Sequence, residues 1–126
     1  MPAAAGNMQG VGLAAPGFAY PDTARTRQIA IFTLILGSLF LLDIGTTHFI
    51  LWMGGVELNP LMAGIVTNPA LHLALKSTIL VAAALVALLS ERYVRGSGGM
   101  LYAVLITLYI FIVVNNLFVI LPRIPL

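Results

Sequence analysis

The residues able to do chemistry in this chain are few, and most stand inside apolar stretches. Asp43 lies nine residues before Trp52, ~13 Å along a helix, in the run Asp43-Ile44-Gly45-Thr46-Thr47-His48. Lys76, Asn115 and Asn116 occupy comparable depths in two later apolar runs. A charge at mid-bilayer costs about 2.5–3.5 kcal/mol on insertion scales, so each such residue requires a physical reason. A carboxylate, an ammonium, two carboxamides and two hydroxyls at one depth can exchange a proton or hold a small cation. They can equally hydrogen-bond helices to one another and fix their register.

Helical phase divides these residues. At 100° per residue Asp43 shares a face with Thr46, Thr47 and Ile50, whereas His48 lies ~140° away among Gly37, Leu41 and Gly45. Asp43 and His48 therefore do not share one metal on a regular helix. A flat ring lying against Gly45 would suit His48 as an axial ligand to a haem or chlorophyll-type pigment. Helix packing is the simpler role for this histidine. In the second run His72, Lys76, Ala83, Ala87 and Ser90 form one stripe, whose small residues allow a neighbouring helix to approach. Because side chains lean toward the N-terminus of their own helix, Glu57 is slightly favoured over Asp43 as the partner of Lys76, while the long lysine arm leaves an Asp43–Lys76 pair open. Asp43 then relies on Thr47 and on Asn115 or Asn116. His72 reads as a solvated or loop-bonded residue.

The elements that must position these groups follow from composition. The chain has 126 residues, of which 60% are hydrophobic and 8% charged. A soluble domain carries about 25% charged residues, and so few charges cannot cover a small globule, which excludes a soluble enzyme. With no basic run interleaved with aromatics, nucleic acid is not an expected partner. The absence of cysteine rules out thiolate metal sites, disulfides and cysteine nucleophiles. Neither a His-Glu-x-x-His nor a Gly-x-Ser-x-Gly motif occurs, and a lone embedded aspartate makes no protease dyad. No cofactor is predicted beyond the haem or pigment reading of His48, and no metal.

The expected fold is all-α, an integral membrane three-helix bundle with helices at about 29–53, 70–89 and 100–121, following an Ala/Gly/Pro-rich tail over 1–27. Each run can cross a ~30 Å hydrocarbon core, and backbone in lipid must satisfy itself as helix. Arg25 and Arg27 precede the first run, Arg92 and Arg95 separate the second from the third, and the 54–69 loop has no Lys or Arg. The positive-inside rule then puts the N-terminus in the cytoplasm and the C-terminus outside, in the inner (cytoplasmic) membrane of a cell. In the outer loop Asn59-Pro60 and Asn68-Pro69 each suit an N-cap followed by proline at the first helical position. A short apolar helix near 60–66 is expected, lying in the interface or packed against the bundle. Gly96-Ser97-Gly98-Gly99 reads as a flexible turn.

Asp43-Ile44-Gly45-Thr46-Thr47, then Gly55-Val56-Glu57-Leu58-Asn59-Pro60, then Lys76, resembles an uncharacterised family of small prokaryotic membrane proteins. That family carries an Asp-x-x-Thr-Thr and Glu-x-Asn-Pro pattern with a lysine in the next helix. The resemblance covers about residues 30–90. It implies a multi-pass bundle and a prokaryotic source, and supplies no activity. Three functional readings remain open. The first is a non-catalytic accessory subunit with lipid and other membrane subunits as partners. The second is a homo-oligomeric proton- or ion-handling component using Asp43, and the third a pigment-binding subunit through His48.

Overall fold

The computed structural model describes residues 23–125. Four helices follow one another: α1 (Thr23–Trp52), α2 (Pro60–Val66), α3 (Pro69–Tyr93) and α4 (Ser97–Ile120), with a closing 3-10 turn at Leu121–Arg123. Three of them, the last including its 3-10 turn, are long and apolar enough to cross a membrane, and the described chain is an all-helical, membrane-embedded bundle. α1 and α4 run from an arginine-rich end toward Trp52, and α3 returns. The 1–27 tail is shorter than expected, because Thr23–Arg27 already belong to α1; its remainder lies outside the described residues.

Local chemistry sets the boundaries at the Trp52 end. The Asn59 side chain accepts from the Leu61 N–H at 3.0 Å, and Pro60, which lacks an N–H, takes the first helical position of α2. Asn68 repeats the device for α3, accepting from Ala70 and Leu71 at 3.0 and 3.3 Å. Each cap satisfies backbone donors that a helix start leaves without a partner. α2 packs back toward α3, with Val66 only 1% exposed.

Packing inside the bundle is led by α1 against α4, with α3 against both. Its apolar centre is Ile29, Leu36 and Phe40 of α1, Ala83 and Ala87 of α3, and Tyr102 of α4. The Tyr102 hydroxyl shares a 2.6 Å hydrogen bond with Thr33, whose own hydroxyl reaches the Ile29 carbonyl. A buried phenol thus retains a polar partner.

The glycine segment between α3 and α4 is built, not slack. Gly96 adopts φ +90°, which costs glycine nothing, and α4 begins at the very next residue. Gly98 is buried where a Cβ would lie 2.9 Å from both the Ala87 carbonyl oxygen and Glu91 Cγ. The Glu91 carboxylate accepts from the Gly96 and Gly98 N–H groups, each at 3.1 Å, and from Arg25 at 3.1 Å. One side chain thereby caps α4 and ties α3 to the first turn of α1. The flexible-turn expectation fails because glycine here serves close approach and access to backbone donors.

A paired substitution tests this junction. Gly98→Ala should destabilise the bundle by about 1–3 kcal/mol, the usual cost of forcing a methyl into a filled space. Gly99→Ala, whose Cβ meets nothing within 4 Å, should be neutral or slightly stabilising. Thermal melts followed by helical circular dichroism in detergent would separate the two; equal melting would show that α3 and α4 do not approach this closely.

Candidate functional site

Asp43 of α1 and Lys76 of α3, both buried, meet in the half of the bundle nearer Trp52. Asp43 Oδ2 accepts from Lys76 Nζ at 2.8 Å, with both side chains 8% exposed. Lys76 donates a second hydrogen bond to the Tyr109 hydroxyl at 2.9 Å. Its ammonium also lies 4.4 Å from the Tyr109 ring centre and 5.2 Å from that of Phe40. Those two rings pack at 4.5 Å. Hydrogen bonds and ring faces together replace the hydration that the cation loses.

The other carboxylate oxygen faces hydroxyls and an amide. Asn116 Nδ2 donates to Thr46 Oγ1 at 2.9 Å and makes longer contacts, at 3.4 Å, with Asp43 Oδ1 and Thr47 Oγ1. Thr47 donates to Asp43 Oδ1 at 3.4 Å. The Thr46 hydroxyl donates to the Leu42 carbonyl at 2.8 Å. Three helices therefore converge on one carboxylate: α1 supplies it with the threonines, α3 the ammonium, and α4 the phenol and the carboxamide.

This corrects the expected pairing of Lys76 with Glu57. The Glu57 carboxylate instead accepts from the Asn59 N–H at 2.9 Å, bracing the turn into α2. The lean of a side chain along its own helix matters less than the reach of four methylenes across the bundle, where lower dielectric strengthens the Coulomb term. Of the two carboxamides the structure selects Asn116. Asn115 is exposed, and lines an open cleft of about 560 Å3 with Thr47, Glu57, Asn116 and Arg123. Tyr109 and Phe40 were not singled out as partners of the charges. The usable signal was spacing: Tyr109 stands seven residues before Asn116 and Phe40 three before Asp43, on the same helix faces.

The histidines meet each other. His48 Nε2 and His72 Nδ1 are 3.4 Å apart, with ring centres at 5.4 Å. His72 is only 1% exposed, which corrects its reading as a solvated or loop-bonded residue. One turn before Lys76, it faces inward on the same stripe. A tetrapyrrole ligand through His48 would require that Nε2 turn away from His72. Among the described residues, no three His, Cys, Asp or Glu side chains assemble as a metal site.

The model of a domain-of-unknown-function family, DUF5658, matches residues 34–122. This chain belongs to that family. The matched DUF5658 region contains Asp43, Lys76, Tyr109 and Asn116 and takes in all of α4, beyond the stretch that carries the motif resemblance. It begins after Arg25, so the Arg25–Glu91 bridge joins the domain to the helical segment before it. No curated protein and no solved structure matches the chain.

The coupling of the ion pair can be read from a double-mutant cycle on this DUF5658 bundle. Asp43→Leu should cost about 3 kcal/mol, because it strands the Lys76 charge in an apolar surround. Lys76→Met should cost a similar amount by stranding the carboxylate. Asp43→Leu combined with Lys76→Met should lose much less than the sum, since an apolar pair of similar volume leaves no charge without a partner. Additive losses in reversible detergent unfolding would mean that the two charges do not stabilise one another.

Proposed function

We propose that this protein is a non-catalytic structural subunit of a larger membrane complex, a compact three-span unit set among other membrane polypeptides. The observation that supports this reading most directly is the closure of the Asp43 network. Its carboxylate is neutralised by Lys76 at 2.8 Å, and Lys76 is in turn held by Tyr109. Groups bound this way act on one another, fixing how three helices cross, and are not offered to a substrate.

What faces outward is apolar and extensive. The hydrophobic window of each span is only 22%, 17% and 11% buried. Between α1 and α3 a shallow groove of about 350 Å3 runs past Gly37, Ser38, Leu41, Ile44, Ser77 and Leu80. Small residues at its base suit the close approach of another transmembrane helix. In this reading the end bearing Arg25, Arg27, Arg92 and Arg95 faces the cytoplasm of a prokaryotic cell and the bundle lies in its inner membrane, as four of the chain's six basic residues clustered there support.

A second reading has its own observation. The open cleft at the Trp52 end reaches the network through Thr47 and Asn116 and carries Glu57, Asn115 and Arg123 on its walls. A polar approach to a buried carboxylate fits a proton- or cation-handling unit, which with three spans requires assembly into homo-oligomers.

Native mass spectrometry after mild extraction from the original membrane separates these readings. The subunit role predicts a hetero-complex with fixed stoichiometry, and a lone monomer would overturn it. A homo-oligomer would shift the weight to ion handling. Proteoliposome proton or cation flux should then be present and should fall at least tenfold in Asp43→Asn.

A further inference from the structure

The cleft at the Trp52 end has polar walls that the bundle itself leaves unused. It holds about 560 Å3 between the last turns of α1, residues 54–58 and the end of α4. Thr47 and Asn116 at its base are spent on the Asp43 network. Glu57 gives one carboxylate oxygen to the Asn59 N–H, and its other oxygen has no partner among the described residues. Asn115 is exposed on the wall and Arg123 at the rim. Neither of those side chains makes a hydrogen bond or ion pair among the described residues. A carboxylate and a guanidinium thus share one cleft without reaching each other. A carboxamide within an apolar span needs polar matter beside it, so an acyl chain alone does not fill this space.

We propose that this cleft binds the headgroup of a phosphatidylethanolamine, its phosphate on Arg123, its ammonium on Glu57 and an ester carbonyl on Asn115. A simple anion would meet Glu57 and a simple cation Arg123, whereas a ligand carrying both charges complements each wall. A guanidinium takes phosphate oxygens in paired hydrogen bonds. A primary ammonium brings three N–H donors, one of them for the unused oxygen of Glu57. Quaternary ammonium groups are held instead by aromatic faces, and no aromatic side chain is among the described lining residues. The depths also follow the lipid. Arg123 stands eight residues after Asn115, about two turns nearer the end of the span. The charged walls therefore lie at the headgroup level and the carboxamide below them, at the level of the esters. Val56 and Leu58 on the lining are 74% and 88% exposed, apolar surface that an acyl chain covers and a soluble phosphoethanolamine leaves bare. The site is independent of which polypeptides surround the bundle.

The test uses the full chain in a neutral detergent, titrated with phosphatidylethanolamine, phosphatidylcholine or phosphatidylglycerol of matched chains and read by native mass spectrometry. Phosphatidylethanolamine should be retained at one site roughly tenfold more tightly than either of the others, the worth of one charge-assisted hydrogen bond. Glu57→Gln keeps the acceptor that braces the turn into α2 and should erase most of that preference. Arg123→Gln should weaken retention of phosphatidylethanolamine and phosphatidylglycerol alike. Arg27→Gln, at the opposite end, should leave both unchanged. Glycerophosphoethanolamine at equal concentration should not displace the lipid. Equal retention of the three lipids by the unaltered chain would overturn the proposal, and needs no variant to fold. So would an undiminished preference in Glu57→Gln or undiminished retention in Arg123→Gln. Displacement by glycerophosphoethanolamine would also overturn it, by making the cleft a site for a soluble zwitterion.

Discussion

In lipid, two apolar helices gain little from touching, because the acyl chains they displace are as apolar as their own side chains. A particular crossing must be chosen by something lipid cannot replace. In this bundle that is the contact of Asp43 with Lys76. An isolated charge at this depth is expensive, and the pair removes the expense only when α1 and α3 stand at one separation and one rotation. The lysine still has protons to place and the carboxylate still has lone pairs. Those needs draw in α4, through Tyr109 on one side and Asn116 on the other. The apolar centre around Leu36, Phe40 and Tyr102 then fills a space whose outline the polar contacts have set.

The two ends of the bundle are finished by different means. At the Trp52 end each helix start is capped from within its own segment, by Asn59 and Asn68, so these caps draw on no residue from elsewhere in the chain. At the arginine-rich end the cap of α4 comes from α3, through Glu91, and the same carboxylate holds Arg25 of α1. Gly98 makes that geometry accessible by letting the α4 backbone lie against Ala87. The first end is thus local in sequence, and the second is tertiary, dependent on three helices being in place together.

That difference explains how much could be read in advance. Apolar length revealed the three spans, and the Asn-Pro pairs revealed α2 and the start of α3, because both signals are contained in a few consecutive residues. Helix phase correctly grouped Asp43 with Thr46 and Thr47, and His72 with Lys76. It does not say which helix lies opposite, so Glu57 is placed slightly ahead of Asp43 as the partner of Lys76 and the meeting of His48 with His72 goes unread. The glycine run was misread for a related reason. Gly96–Gly99 has the composition of a linker, and only the nearby Glu91 and Ala87 show that its backbone donors and its lack of Cβ are in use.

A bundle closed around a neutralised ion pair has consequences for how it can act. Drawing Asp43 away from Lys76 to carry a cation would leave the ammonium without its carboxylate, between two aromatic rings. The stabilisation that selects the fold would be lost at each turnover unless another anion replaced it. A static scaffold carries no such cost, and the same contact then serves it without interruption. Two open clefts sit at opposite ends with the ion pair between them, one lined by Arg25, Arg27 and Arg95 and the other by Glu57, Arg123, Asn115 and Asn116. The polar contacts lie inside the bundle, and the outward faces of α1, α3 and α4 are apolar. That division, polar groups inward for shape and apolar faces outward for contact, is the physical basis of the subunit role proposed above.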